Sequence, residues 1–473
     1  MKTSQLPAFY KNPLQKRQEI LLENSTLDKN DIETISNTKN KTEIFDKMIE
    51  NMIGIFPIPL GIATNFIVNK KEYIIPMATE ESSVIAAVSF AAKLARNSGG
   101  FFVTSTGIDV VIGQIQAIEM KISAEEAKKN VDSYQEKLCL MINTKFPKMY
   151  ERNGGAKYMT SRILTISDDF QKSQTRKEML IIYFMIDVKD AMGANIVNSM
   201  MEFIAPTIET LVQGNVLLKI ISNLPIHRTF TAKAVWTKQV LQESSKNKYS
   251  GDEIAQRIIQ AWQFAENDPF RAATHLKGMM NGIDSVCIAT GNDFRSIESA
   301  IHSFRKYSLE IPRFSGLEQM ILDDILFTDL QKQEILNSRT NTLTKYYQNN
   351  NGDLVGELFV PLSIGVVGGA TKVNPVAQTC LKLLDCKNSQ ELASVFAAVG
   401  LAQNFAALRA LVTEGIQKGH MKLHASNLAI MAGAQNNQEI EQVTQLLYQK
   451  NPSEISLSTA TLILNQIRES FEK

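Results

Sequence analysis

The sequence predicts an α+β fold: a large helical domain, a ferredoxin-like domain inserted into it, and a helical C-terminal flap. Two observations carry this. From Val110 to Ser222 the apolar pattern runs strand, helix, strand, strand, helix, strand, which is the ferredoxin-like order. On both sides of that stretch helical periodicity prevails, broken only by short strand-like runs. The implied division is 1–106 for the first part of the large domain, 107–226 for the insert, 227–415 for the second part and 416–473 for the flap.

The elements follow in order. Pro13–Glu23, Asp28–Ile35 and Ile44–Gly54 carry apolar residues at helical spacing, the last stopping at a glycine. Phe56-Pro57-Ile58-Pro59-Leu60-Gly61 breaks regular structure. Asn65–Val68 and Glu72–Ile75 read as strands around a turn at Asn69-Lys70-Lys71. Ser82–Asn97 is a helix whose alanines suit close packing. Within the insert, strands are expected over Val110–Ile118, Arg162–Ser167, Glu178–Val188 and Val216–Ser222, with an amphipathic helix over Ala124–Lys145 and another over Met192–Val212. A helix over Asp252–Ala265 gives way to an irregular, polar stretch from Asp268 to Arg295. Tyr346–Pro361 reads as a strand pair turning at Asn350-Asn351-Gly352. After the Gly365–Gly369 turn come helices over Pro375–Leu384, Ser389–Val399 and Gln403–Lys418, then a helical tail.

Composition narrows the class. With 473 residues, 44% hydrophobic and 21% charged, the chain can build the cores of roughly three domains. Its 50 Lys+Arg against 49 Asp+Glu leave a net charge of +1, which gives no electrostatic reason to expect nucleic acid or a membrane surface as partner. No apolar run approaches the ~20 residues of a bilayer span, and Met1–Lys16 lacks the apolar stretch of a signal peptide. The four cysteines form no CxxC pair, so no zinc ribbon or redox motif is expected, nor any metal site. Reduced thiols in the cytoplasm are the expectation.

The common cofactor signatures are missing: no GxGxxG after a strand, no Walker A loop, no GxSxG, no HExxH. Four local clusters remain. Asp190-Ala191-Met192-Gly193-Ala194-Asn195 sits where a strand feeds a helix; Asp190 is placed as a cap, and the helix N-terminus would equally seat a phosphate. Glu80-Glu81-Ser82-Ser83 puts carboxylates before a buried helix, either as an acidic first turn or as a carboxyl whose raised pKa would let it donate a proton. The patch from Arg271 to Gly282, with Gly291-Asn292-Asp293 after it, is a solvated loop or a Lys–Asp oxyanion site. His420, one of five histidines, follows Gly419 past a helix and is either a surface side chain or a mobile acid.

Together these clusters, with Glu50-Asn51-Met52-Ile53-Gly54, Val367-Gly368-Gly369-Ala370-Thr371-Lys372 and Gly400-Leu401-Ala402-Gln403-Asn404, resemble the soluble class II form of hydroxymethylglutaryl-CoA reductase. The resemblance extends from Leu6-Pro7-Ala8-Phe9 to the last helices. It implies that the large domain binds substrate and the insert binds coenzyme. It further implies a four-electron reduction of hydroxymethylglutaryl-CoA to mevalonate and CoA with two NAD(P)H. Carried over by position, Glu81, Lys277, Asp293 and His420 would be catalytic, with Glu81 chosen over Glu80 by the family register alone. Lys277 would stabilise the oxyanion, Glu81 would donate a proton, Asp293 would hydrogen-bond and tune both, and His420 would protonate the CoA thiolate. Ser83, Asn223, Arg271, Thr274 and Asn281 would hold the hydroxymethylglutaryl group. Asp190, Met192, Gly193 and Asn195, with Gly368 and Gly369, would hold the dinucleotide. The family register puts Asn143–Lys148 where NADH-specific members carry an acidic residue; the basic character here favours NADPH, with Lys145, Lys148 or Arg152 facing a 2′-phosphate, and NADH as the alternative. Leu276 stands where Asn is usual and Ser82 where Pro is common, both beside the functional types rather than on them. The resemblance also implies a homodimer or a trimer of dimers with shared active sites. The same groups would serve the reverse, mevalonate-oxidising direction. A non-catalytic CoA- or nucleotide-binding module would be expected to lack one of the catalytic four, and all are present.

Overall fold

The structure, a computed structural model, describes residues 3–37, 42–166, 177–305, 315–413, 415, 425–450 and 454–471. Helices α1 (Leu14–Asn24), α2 (Lys29–Ser36) and α3 (Thr42–Asp46) lead to a hairpin of β1 (Leu60–Val68) and β2 (Lys71–Ala78). Its turn residues Asn69 and Lys70 hold φ of 48° and 68°, the left-handed pair a tight hairpin needs. Helix α4 (Val84–Arg96) and β3 (Phe101–Ser105) complete the first part. The segment expected as a helix over Ile44–Gly54 is helical only as α3; turns follow it.

The insert comprises β4 (Val110–Ile118), α5 (Ala124–Ser133), α6 (Gln135–Lys145), α7 (Pro147–Tyr150), β5 (Gly155–Ile166), β6 (Lys177–Asp187), α8 (Ala194–Val212) and β7 (Asn215–Ile221). Its sheet runs β5-β6-β4-β7 with every neighbour antiparallel, the ferredoxin-like topology. The single helix expected over Ala124–Lys145 is two, because Tyr134 at φ −103°, ψ 6° interrupts it. One face of the sheet packs on α5, α6 and α8 through Ile115, Ile182, Phe184, Met200 and Ile204. The other presents Ile112, Tyr158, Tyr183 and Met185 to the core of the large domain.

The chain then continues with β8 (Thr229–Trp236), α9 (Lys238–Ser244), α10 (Gly251–Asn267), α11 (Pro269–Ala289), α12 (Phe294–Phe304), α13 (Ser315–Asp323), α14 (Asp329–Ser338), β9 (Thr344–Gln348), β10 (Leu354–Pro361), α15 (Ala370–Val373), α16 (Pro375–Leu384) and α17 (Ser389–Val412). Helix α18 (425–431), α19 (Asn437–Tyr448) and α20 (Leu457–Phe471) form a small cluster with its own core around Leu428, Val443 and Leu464. The large sheet runs β2-β1-β3-β8-β10-β9, so the insert interrupts it between two paired strands, β3 and β8. Its core is aromatic: Trp236 stacks on Phe405 of α17 at 3.7 Å, and its indole N–H donates to the Ala91 carbonyl of α4 at 3.2 Å.

The largest departure concerns 268–295, expected as irregular and found as the 21-residue helix α11. Its glycines cost a lone helix about 1 kcal/mol each. Here Gly282 of α11 and Gly400 of α17 let the two helices approach: a Cβ on Gly282 would lie 2.9 Å from the Gln403 Cβ, and one on Gly400 would lie 2.8 Å from Ile283. Likewise α17 is one helix where two were expected. It is long and apolar enough by composition to cross a bilayer, but 78% of its apolar window is buried.

Candidate active site

Helix α11 sets out the first cleft. Asp268 caps it, accepting the Arg271 N–H at 2.7 Å, and Pro269 occupies its first turn. Arg271, Thr274, Lys277 and Asn281 follow at intervals of three and four, which puts them on one face. The other face is core, with His275, Leu276, Met279 and Ile283 buried. His275 bonds Thr344 Oγ1 at 2.8 Å; burial and then the nearby Arg271 push its pKa down to about 3, so it is neutral at physiological pH.

Glu81 lies in the turn between β2 and α4, and its Oε2 accepts from Lys277 Nζ at 2.9 Å. Glu80 is exposed. Beside this pair lies a cavity of about 540 Å³ lined by Glu81, Ser83, Arg271, Thr274, Lys277 and Asn281, with Gln403 and Arg409 of α17 opposite. Among the described residues the Ser83 hydroxyl and the Gln403 amide oxygen are buried without a hydrogen-bond partner, which a polar ligand would supply. Burial lowers the pKa of Arg271, a group that stays charged regardless. The pair is open: 63% of the Lys277 side chain and 39% of Glu81 are exposed. The low-dielectric surroundings expected for Glu81 are therefore not supplied by this chain's described residues alone.

A second cleft of about 490 Å³ opens between the insert and the large domain, lined by Met192, Gly193, Asn195, Asp293, Gly368 and Gly369 among others. Gly193 is the N-cap of α8 at φ 102°; no side chain caps the helix, so its first N–H groups are offered to the cleft. Asp190 does not cap α8 as expected. It sits three residues ahead of that N-cap, and its Oδ1 instead accepts the Ser389 N–H of α17 at 2.9 Å. Asn292 Oδ1 accepts the Gly365 N–H at 2.9 Å, and Ala191 bridges to Val367. Asp293 caps α12 through the Arg295 and Ser296 N–H groups at 3.1 and 3.2 Å.

Residues 13–425 match the family described as hydroxymethylglutaryl-coenzyme A reductase. Among curated proteins, 3-hydroxy-3-methylglutaryl-coenzyme A reductase of Archaeoglobus fulgidus is 42% identical over 466 residues, which is 98% of this chain and 95% of that protein. A probable enzyme of the same name from Borreliella burgdorferi is 33% identical over 97% of this chain and 94% of its own length. The structure of the Streptococcus pneumoniae reductase superposes with a TM-score of 0.72 at 33% identity, covering 98% of this chain and 99% of that one. A class II reductase structure from the same organism, bound to NADPH in open conformations, gives 0.70 at 32%, covering 97% of this chain and all of that one. The chain belongs to the hydroxymethylglutaryl-CoA reductase family, in its class II form. It is an NAD(P)H-dependent oxidoreductase.

In this member of the family, the structure gathers Glu81, Ser83, Arg271, Thr274, Lys277 and Asn281 at one cleft and Met192, Gly193, Asn195, Gly368 and Gly369 at the other. Asp293 belongs to the second cleft. Its Oδ1 accepts the two cap N–H groups and lies 3.5 Å from Arg295 Nε, and among the described residues it makes no bond to Lys277 or Glu81. Asn223 lines neither cleft; its Oδ1 accepts from Ser296 Oγ at 3.0 Å behind the same cap. Lys145 lies 5.7 Å over the Phe203 ring and lines neither cleft. His420 falls outside the described residues. Sequence reasoning missed Asp284, seven residues after Lys277 on the same face of α11. Burial first, then Glu298 of α12, push its pKa up to about 8. The i, i+4, i+7 spacing of Lys277, Asn281 and Asp284 signals it only once the segment is known to be helical.

Proposed function

We propose that the protein reduces hydroxymethylglutaryl-CoA to mevalonate and CoA in two NAD(P)H-dependent steps. The Lys277–Glu81 pair beside the Arg271-lined cavity carries this reading. Arg271 would take the free carboxylate of the substrate through its planar fork, with Ser83, Thr274 and Asn281 completing the hydrogen bonds and Asn223 acting from behind Ser296. The thioester carbonyl then lies toward Lys277, whose ammonium would stabilise the oxyanion formed there. Mevaldehyde reduction needs a proton, and Glu81 would give it. His420 would protonate the CoA thiolate, whose thiol has a pKa of about 8.5. Asp293, at the lip of the neighbouring cleft, would tune Lys277 and Glu81 once that cleft closes.

The uncapped α8 N-terminus and the flanking glycines suit a dinucleotide diphosphate, so Met192, Gly193, Asn195, Gly368 and Gly369 would hold NAD(P)H, with Asp190 bracing their loop from behind. When bound, the coenzyme supplies the hydride. NADPH is the favoured form, with Lys145 at the end of α6 as its 2′-phosphate partner and NADH as the alternative. The open Lys277–Glu81 pair and the exposed Ile49 (60%), Ile53 and Phe56 (89%) support a second copy as partner; a dimer or a trimer of dimers, in the cytoplasm, completes the reading.

Coenzyme oxidation with hydroxymethylglutaryl-CoA, run with NADPH and NADH side by side, tests the reading. Turnover preferring NADPH is expected; turnover preferring NADH would remove Lys145 from the site, and none with either would sink the activity. His420→Gln should lose thioester reduction while keeping most mevaldehyde reduction, measured by supplying each substrate separately. Equal losses would refute its role as thiolate acid.

A further inference from the structure

Arg228 stands at the first turn into β8, 1% exposed, in the seam between insert and large domain. Its Nη1 donates to the Ala191 carbonyl at 3.0 Å, and its Nη2 to the Ile364 carbonyl at 2.8 Å and to Ser389 Oγ at 3.3 Å. Its own carbonyl accepts the Leu362 N–H at 2.8 Å. Asp109, 3.8 Å away, and the carboxylates of Asp187 and Asp190 surround the charge. One guanidinium thus joins three segments distant in sequence. Ala191 directly precedes Met192 and Gly193, and Ile364 directly precedes the Gly365–Gly369 turn; these are the two walls of the second cleft. Ser389 begins α17 and donates its N–H to Asp190.

The walls meet with little slack. A Cβ on Gly365 would lie 2.6 Å from the Met192 nitrogen, and the Val366 N–H donates to the Asp190 carbonyl at 3.0 Å. No residue of the first cleft takes part in this knot. The Arg228 Nε is buried without a partner among the described residues, so this buried charge is costly, and an apolar side chain of similar volume would fill the seam at less cost. What an apolar residue lacks is the planar fork that fixes two carbonyls at a set separation; a lysine ammonium lacks it too.

We propose that Arg228 is a positioning residue for the coenzyme: it sets the width of the dinucleotide cleft by holding the 191–193 and 364–369 walls together, and it does not touch the coenzyme. This rests on the coenzyme reading of that cleft. NADPH binding, followed by fluorescence titration without the second substrate, and steady-state KM values for both substrates test it. Arg228→Lys keeps the charge but loses the fork. It should weaken NADPH binding about tenfold or more, with the KM for hydroxymethylglutaryl-CoA within about twofold of wild type. Ser389→Ala removes the longest of the three bonds and should weaken NADPH by a smaller factor, about threefold, which keeps the proposal testable if Arg228→Lys does not fold. Arg228→Ala should regain NADPH affinity on addition of guanidinium ion at concentrations that leave wild type unchanged. Unaltered NADPH affinity in folded variants, or equal loss of both substrates' affinities, would overturn the proposal. Wild-type protein that binds no NADPH would instead overturn the coenzyme reading itself.

Discussion

Lys277→Ala is expected to lower kcat for hydroxymethylglutaryl-CoA reduction by about 10²- to 10³-fold, roughly 2.7–4 kcal/mol of transition-state stabilisation, with a much smaller change in KM. The side chain springs from α11, an element packed against α17, so its backbone origin is set before substrate arrives. Its described partner is the single carboxylate oxygen of Glu81 at 2.9 Å. In the free protein that partner shares the charge with solvent, since both side chains are more than a third exposed. Solvent screening makes the pair a weak contributor to stability. On the proposed reading, once substrate and a covering surface exclude water, the same charge would face a developing oxyanion in a lower dielectric, where it would act far more strongly. The loss should therefore appear in kcat and leave the unfolding midpoint nearly unchanged. Single-turnover measurement of each half-reaction and a urea melt check both parts. A variant keeping more than about a tenth of wild-type kcat would remove Lys277 from the role of oxyanion partner.

Why α11 was not legible as a helix bears directly on this. Composition there pairs Gly278 and Gly282 with Asn281, Thr274 and Asp284, residues that lower intrinsic helix stability. The helix forms because α17 packs onto its glycines, information held some 120 residues away in the chain. The insert shows the reverse case. Its strands alternate or run apolar, and its helices are amphipathic, so local pattern alone gave the β-α-β-β-α-β order and the antiparallel sheet followed from it. Strands β3 and β8 pair with each other only across the whole insert, a partnership that no local pattern in Phe101–Ser105 or Thr229–Trp236 announces. Of the site, the residues carried by one helix face or one turn came together as expected. Asp190 and Asp293 did not, because an acidic residue near a helix start is recruited by whichever backbone N–H groups lie closest, and only the three-dimensional neighbourhood decides that.

Asp324→Ala is expected to destabilise the fold by about 3–5 kcal/mol at neutral pH, the cost of leaving one partner of a buried pair alone. His227 Nε2 and Asp324 Oδ2 are 2.6 Å apart, and neither side chain is exposed at all. The imidazole stacks on Phe327 with centroids 4.9 Å apart, and Asp324 Oδ1 accepts the Leu326 N–H at 2.8 Å. The pair fastens the turn after α13 to the chain just as it leaves the insert for β8, next to Arg228. Burial alone would raise the Asp324 pKa, but the hydrogen bond and charge of His227, with the Leu326 N–H, hold it below its ordinary 3.8. A depressed carboxyl contributes its stabilisation fully above the unfolded-state pKa and loses it as pH falls through the lower folded-state value. The carboxylate's own share of the gap between wild type and Asp324→Ala should thus be complete above about 4 and shrink below it, as the Asp324 carboxyl takes up its proton. Urea unfolding midpoints across that range measure it. Asp324→Asn, which keeps the volume and an acceptor for Leu326 but not the charge, separates the two contributions: a cost near that of alanine assigns the effect to the charge, and a small cost assigns it to packing and the hydrogen bond. A wild-type-to-alanine gap below about 1 kcal/mol would show that the seam relaxes around the unpaired imidazole, and the pair would then hold no part of the domain joint.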